Sequence, residues 1–152
     1  MTREFTLPDP DATAALGAAL AAARPAHAVV FLEGDLGAGK STLARAWLRS
    51  LGVTGPIKSP TYALVERYAI PGGEAAHLDL YRLAAAAELD FLGLDELAAE
   101  ATLWLVEWPE RGAGSLPAPD LRVRLDTVGA GRRAVVESGS PAGQAWLGRI
   151  PL

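Results

Sequence analysis

Ala28-Val29-Val30-Phe31-Leu32-Glu33-Gly34-Asp35-Leu36-Gly37-Ala38-Gly39-Lys40-Ser41-Thr42 is the stretch that decides the fold. Its first five residues form a continuous apolar run of β-branched and large side chains, the pattern of a strand buried on both faces. Glycines 34, 37 and 39 then impose a loop. Lys40 to Leu51 reads as a helix with Leu43, Ala44, Trp47 and Leu48 on one face, closed by Gly52 just past its end. Trp47 belongs to the core in this reading.

Within that strand, loop and helix, Gly34 to Ser41 is a full match to G-x-x-x-x-G-K-[ST]. Each fixed position has a chemical reason. The glycines let the backbone curl so that successive N–H groups face phosphate oxygens, and the helix adds its unpaired N–H groups and dipole. Lys40 supplies a compact positive charge to the β- and γ-phosphates, and the Ser41 hydroxyl is a ligand for Mg2+. Chance would place this pattern in about half a percent of chains of this length. The strand before it and the helix after it are the required context.

Outward from this unit, Phe5-Thr6-Leu7 reads as a first strand. A helix follows, with Asp9 as N-cap and Pro10 at its first position, running to about Arg24 and stopped by Pro25. Tyr62 to Tyr68 and Ala75 to Tyr81 flank Pro71-Gly72-Gly73 and predict a hairpin. Ala84 to Leu89 and Leu94 to Glu100 predict short helices broken near Gly93. Thr102 to Val106 is another buried strand. Leu121 to Leu125 and Ala134 to Val136 predict a second hairpin around Gly129-Ala130-Gly131, and Ala142 to Leu147 a terminal helix. Buried strands alternating with helices specify an α/β domain with a mostly parallel sheet, and the hairpins add antiparallel strands. With no internal repeat and no linker composition, a single domain over residues 1–152 is expected.

Composition narrows the functional classes. The 152 residues are 50% hydrophobic and 21% charged, an ordinary globular balance. A net charge of -4, with no dense Lys/Arg run, gives no footprint for direct nucleic-acid binding. Without cysteine there is no disulfide framework, thiol nucleophile or Cys-based zinc site. Met1 to Pro10 lacks an apolar signal core, and Ala12 to Ala23 is too weakly apolar and too short to span a bilayer. A soluble cytoplasmic protein, without a membrane partner, is expected.

A phosphate loop also needs a carboxylate near the metal, and two acids qualify. Glu107 ends the apolar run Leu103-Trp104-Leu105-Val106, where an unpartnered charge is costly. The competing reading is a strand-end acid facing solvent. Asp79 lies in His77-Leu78-Asp79-Leu80-Tyr81, where alternation puts His77, Asp79 and Tyr81 on one face. A structural partner for Arg82, or a cap for the next helix, is the other reading of Asp79, and a structural role competes with a catalytic one for His77. Ser59-Pro60-Thr61-Tyr62 holds two hydroxyls at a proline-fixed turn and reads either as a γ-phosphate-sensing loop or as an ST-turn entering a strand. Trp108, between Glu107 and Pro109, is placed at the site edge or at a partner contact.

Gly34 to Thr42, Lys58 to Glu66, His77 to Leu83 and Leu105 to Glu110, in this order and spacing, resemble the TsaE (YjeE) family, the small ATPase of bacterial tRNA threonylcarbamoyladenosine biosynthesis. The resemblance covers nearly the whole chain. It implies a three-layer P-loop NTPase fold with a mixed, mostly parallel central sheet. It implies ATP held by Gly34, Leu36, Gly37, Ala38, Gly39, Lys40, Ser41 and Thr42, with Ser41 and Glu107 holding Mg2+. Asp79 would lie beside the γ-phosphate as a water-positioning or metal-shell carboxylate, with Lys40 the other catalytic group. Ser59, Thr61 and Tyr62 would form a switch-like loop. Leu7 to Pro10, with Pro8 and Pro10, and Gly131-Arg132 resemble the segments that border adenine. The resemblance further implies TsaD and TsaB as partners, with tRNA reached only through their complex. Ser41 stands where threonine is frequent in the family, and its hydroxyl preserves the chemistry.

Other nucleotide enzymes fit less well. A small-molecule kinase needs cationic clamps on the transferred phosphoryl, and Arg111 is the only arginine between Arg82 and Arg122. No Asn-Lys-x-Asp sequence marks a GTPase. A nucleotide-gated interaction module, controlled by occupancy rather than turnover, is the remaining class; the presence of both Asp79 and Glu107 favours hydrolysis.

Overall fold

An apolar strand with no polar face must be covered on both sides, and β2 (Ala28–Glu33) occupies the interior of a seven-stranded sheet. The structure is a computed structural model that describes residues 1–57 and 64–152. Parallel to β2 on either side lie β5 (Leu103–Glu107) and β6 (Leu121–Val128). Next to β5 comes β4 (Gly73–Asp79), also parallel, with β3 (Val65–Ile70) antiparallel at the edge. On the other side β7 (Gly131–Ser138) runs antiparallel to β6, and β1 (Thr2–Leu7) antiparallel to β7. The order is therefore β1-β7-β6-β2-β5-β4-β3. Strands β1, β2, β4, β5 and β6 share one direction, which makes the sheet mixed and mostly parallel, as expected.

Alternation along the central strands divides the core into two layers. Val30, Leu32, Leu103 and Leu105 face the helices α1 (Pro10–Ala23), α2 (Lys40–Ser50) and α4 (Pro141–Arg149). Within this layer the buried rings of Trp47 and Trp146 meet edge to face, with centroids 5.7 Å apart. Phe31, Trp104 and Val106 face the opposite layer, built around Leu89 of a 3-10 segment (Ala86–Leu92) and Leu97 of α3 (Leu94–Glu100). Among the described residues, no helix is long and apolar enough to cross a membrane.

The local signals act as their chemistry requires. Asp9 Oδ1 accepts from the Ala12 N–H at 2.8 Å, and Pro10 begins α1. Gly52 takes a positive φ of 93° past the end of α2. Other boundaries shift because pairing decides them. β1 extends back to Thr2 through its ladder with β7. β4 stops at Asp79 rather than Tyr81, since the Asp79 side chain accepts the Tyr81 N–H and turns the chain away. The helix expected over Ala84 to Leu89 is the 3-10 segment, displaced toward Gly93. The expected start of the first hairpin at Tyr62 lies outside the described residues.

Away from the C-terminal strand ends, Asp120 ties three elements together. Its carboxylate accepts from the Val29 N–H at 2.8 Å and from the Ser140 hydroxyl at 2.6 Å, while Ser140 caps α4 through the Gly143 N–H. Asp120→Ala would strand the Val29 donor and loosen the α4 cap. We expect a loss of about 1–3 kcal/mol in urea unfolding, with nucleotide affinity unchanged.

Candidate functional site

The parallel pairs β2–β5 and β5–β4 bring their C-terminal ends to one edge of the sheet. Leu32 stands opposite Glu107, and Glu107 opposite Asp79. Open parallel sheets bind ligands at this edge, and here the glycine loop, Glu107 and Asp79 converge on it.

The loop's shape follows from its glycines. Gly34 has φ 141°, and a Cβ there would lie 2.4 Å from the Leu125 carbonyl oxygen, so no other residue fits. Gly39 closes the loop at φ 106° and precedes α2 directly. The Lys40 side chain folds back into this curl. Its Nζ donates to the carbonyls of Gly34 at 2.5 Å and Asp35 at 2.9 Å, and lies 4.3 Å from the centre of the Trp108 ring. Burial lowers the Lys40 pKa; the negative charges of Glu107, Asp79, Glu110 and Asp35 oppose that shift.

At the second residue of α2, the Ser41 hydroxyl lies 3.0 Å from Glu107 Oε1 and 3.2 Å from Oε2, donating to the carboxylate. Glu107 is 2% exposed, which rules out the solvent-facing reading. Its Oε2 is also 2.6 Å from His77 Nε2. Asp79 is buried too. Desolvation raises its carboxyl pKa, and the Glu107 charge adds to the rise. The Tyr81 N–H bond, His77 and Lys40 act in the opposite direction. The helix cap considered for Asp79 is not formed: its carboxylate accepts the Tyr81 N–H at 3.0 Å in the turn after β4, and the next helical segment follows Ala85 with no side-chain cap.

These groups surround a cleft of about 390 Å3. Leu36, Gly37, Gly39, Lys40, Ser41 and Thr42 line it together with Asp79, Tyr81, Arg82, Glu107, Trp108 and Arg132. Trp108 adopts a left-handed φ of 57°, uncommon for a bulky residue, and its ring packs 5.0 Å from that of Tyr81. Gly34 and Ala38 support the loop without lining the cleft; the Ala38 N–H closes onto the Asp35 carbonyl at 3.1 Å. A smaller adjoining pocket, about 120 Å3, is lined by Leu7, Asp9, Pro10, Thr13, Gly39, Thr42, Ala130, Gly131 and Arg132. Pro10, Gly131 and Arg132 thus come together as expected. Pro8 does not join them. It is exposed and adjoins Gly131, where a Cβ would fall 3.0 Å from Pro8 Cα, but is not among the residues lining the pocket.

Ser59, Thr61 and Tyr62 lie outside the described residues. Sequence reasoning missed Arg82, Thr13 and Ala130 as lining residues. It put Tyr81 on the correct face, although Tyr81 gets there from the turn after β4 rather than from a strand. The His77–Glu107 bond was also missed. Its only sequence signal was a histidine two positions before Asp79, and the strand pairing that brings it to Glu107 is tertiary. No group of three or more His, Asp or Glu side chains among the described residues is arranged to hold a metal alone. A hard cation at Ser41 and Glu107 would complete its oxygen shell with phosphate or water.

Comparison with known proteins gives a consistent result. A family profile described as threonylcarbamoyl adenosine biosynthesis protein TsaE matches residues 7–135. The tRNA threonylcarbamoyladenosine biosynthesis protein TsaE of Haemophilus influenzae is 49% identical over 98 residues, covering 64% of this chain and 62% of that protein. The protein of the same name from Synechocystis is 42% identical over 112 residues, 71% of each chain. Among solved structures, Bacillus subtilis YdiB superposes with a TM-score of 0.84 at 25% identity, covering 99% of this chain and 94% of that one. A profile match from residue 7 to residue 135, supported by these relatives, establishes that the chain belongs to the TsaE family.

Proposed function

We propose that this chain binds MgATP and hydrolyses it in the cytoplasm, in support of N6-threonylcarbamoyladenosine formation in tRNA, acting on a TsaB–TsaD complex rather than on tRNA itself. The observation that carries the nucleotide reading is the bond between Ser41 and the buried Glu107 directly beside Lys40 and the glycine loop. The part in tRNA modification follows from family membership, and the two partners from the resemblance. Trp108, at the lip of the cleft, is the proposed contact with them, as is the segment with Ser59, Thr61 and Tyr62.

The donor set fits the proposed ligands. Ser41 and Glu107 offer the hard oxygens that Mg2+ takes together with phosphate oxygens. Lys40 rests on two backbone carbonyls, a partnership that a phosphate oxygen would replace with a charged one. When bound, Mg2+ supplies charge neutralisation across the β- and γ-phosphates. The chain's own residues do the remainder. The loop N–H groups and the start of α2 cradle the phosphates, and Lys40 stabilises charge on the oxygens around the breaking bond. Asp79 orients a water molecule toward the γ-phosphorus. The water's oxygen forms the new P–O bond, the bond to the β-γ bridging oxygen breaks, and ADP and phosphate leave. A carboxylate with a raised pKa is suited to take the water's proton.

Arg82 and Arg132 line the cleft, so a lack of cationic clamps does not separate this ATPase from a small-molecule kinase. Product analysis does. Phosphate released to water, faster with TsaB, TsaD and tRNA and accompanied by repeated tRNA modification, is expected. Phosphate passed to a metabolite, with no effect of the partners, would replace this reading with a kinase.

Lys40→Ala should weaken ATP binding roughly ten- to hundredfold by calorimetry. Asp79→Ala should retain ATP but lose about two to four orders of magnitude in turnover; wild-type turnover would remove Asp79 from the reaction. Since Lys40 sits against Trp108, saturating nucleotide should change indole emission in the wild type and not in Trp108→Phe.

Asp79 also links pH to stability. Its folded pKa is raised, so its stabilising contribution is complete below the ordinary value of 3.8 and is lost as pH rises through the folded value. Asp79→Asn can still accept the Tyr81 N–H and carries no charge. Without nucleotide and with EDTA, it should melt higher than wild type at neutral pH, the gap closing toward the ordinary carboxylate value.

A further inference from the structure

We infer that His77 is a positioning residue that fixes the Glu107 carboxylate for its metal-binding work, an inference that rests on the MgATP reading above. His77 is 1% exposed and stands on β4 beside β5. Its Nε2 lies 2.6 Å from Glu107 Oε2, while Nδ1 has no hydrogen-bond partner among the described residues. A carboxylate only accepts, so Nε2 carries the proton and donates. The other ring nitrogen is then a buried polar atom without a partner, which is destabilising. An apolar side chain at this position would avoid that cost, as Ala76 and Leu78 do on either side. The feature that a hydrocarbon would not provide is the bond to Glu107.

That bond has a geometric consequence. The Ser41 hydroxyl approaches both carboxylate oxygens from the α2 side, at 3.0 and 3.2 Å. His77 holds Oε2 alone, from the β4 side. Two donors from different elements fix the carboxylate's rotation and leave Oε1 turned toward Ser41, where the cation would lie. With His77 removed, Ser41 would be the remaining side-chain donor among the described contacts. Outer-shell partners of this kind usually contribute ten- to hundredfold to metal affinity.

The test measures the Mg2+ concentration that half-maximally tightens ATP binding, by calorimetry, together with thermal melting in EDTA. His77→Leu should raise that concentration by about ten- to hundredfold, with ATP affinity in EDTA unchanged. His77→Gln keeps an N–H donor at the reach of Nε2 and should stay within about threefold of wild type. A leucine variant that melts cooperatively yet keeps the wild-type Mg2+ response would overturn the inference, as would a glutamine variant as impaired as leucine. If the leucine variant does not fold, His77→Asn decides, because its amide is too short to reach Oε2. Impairment relative to glutamine supports the inference, and a wild-type response overturns it. If wild-type protein binds ATP equally well with Mg2+ and in EDTA, the MgATP reading itself fails and this inference with it.

Discussion

A carboxylate buried at the end of an apolar strand constrains the rest of this molecule. Glu107 is 2% exposed, and removing an ionised group from water is costly unless hydrogen bonds and opposite charge compensate. Compensation comes from α2 through Ser41 and from β4 through His77, with Lys40 nearby. Each donor has to arrive in register. The parallel ladder sets Glu107 against Leu32 on one side and Asp79 on the other. The loop after Glu33 then delivers Ser41 from above. Shifting β5 by one residue would turn Glu107 toward the layer of Phe31 and Leu78 and strand both donors.

Much of this frame is legible in the sequence because it depends on local chemistry. The apolar runs at Ala28 and Leu103, the glycine spacing before Lys40 and the Asp9-Pro10 cap each specify their element without outside help. Glu107 and Asp79 were identifiable because acids at the ends of buried strands have few comfortable alternatives. What escaped was set by pairing and packing. β1 gained residues because β7 supplied a ladder, and β4 ended early because Asp79 captured the Tyr81 N–H. Pro8, read together with Pro10, is exposed beside Gly131 and outside the lining of the adjoining pocket.

Trp108 illustrates how backbone geometry places a side chain that sequence alone cannot. A left-handed φ of 57° at an indole residue is sterically unfavourable, by about 1–2 kcal/mol. It persists because Pro109 begins a tight 3-10 turn and the ring is held between Tyr81 and Lys40. Arg111 adds a second cation, 5.3 Å from the Tyr81 ring centre and 5.9 Å from that of Trp108. Lys40 is thus partnered by its own loop carbonyls and by an aromatic face. Any anion that recruits Lys40 has to compete with both.

The electrostatics of the cleft then favour one kind of ligand over another. Asp79 and Glu107 stand in the same cavity as the glycine loop, and a bare polyphosphate there would face both acids at short range. Burial moves Lys40 down and Asp79 up, so each charged form is less favourable here than in water. By themselves Lys40, Arg82 and Arg132, the cations lining the cleft, do not shield two carboxylates from a triphosphate. A divalent cation between the acids and the phosphates would, and this is the physical reason to propose MgATP rather than ATP alone. Such a ligand binds only the folded site, so occupancy would stabilise the chain by mass action. The free protein tolerates the imbalance because the layers around Trp47 and Trp104 fix the strands regardless of what the cleft holds.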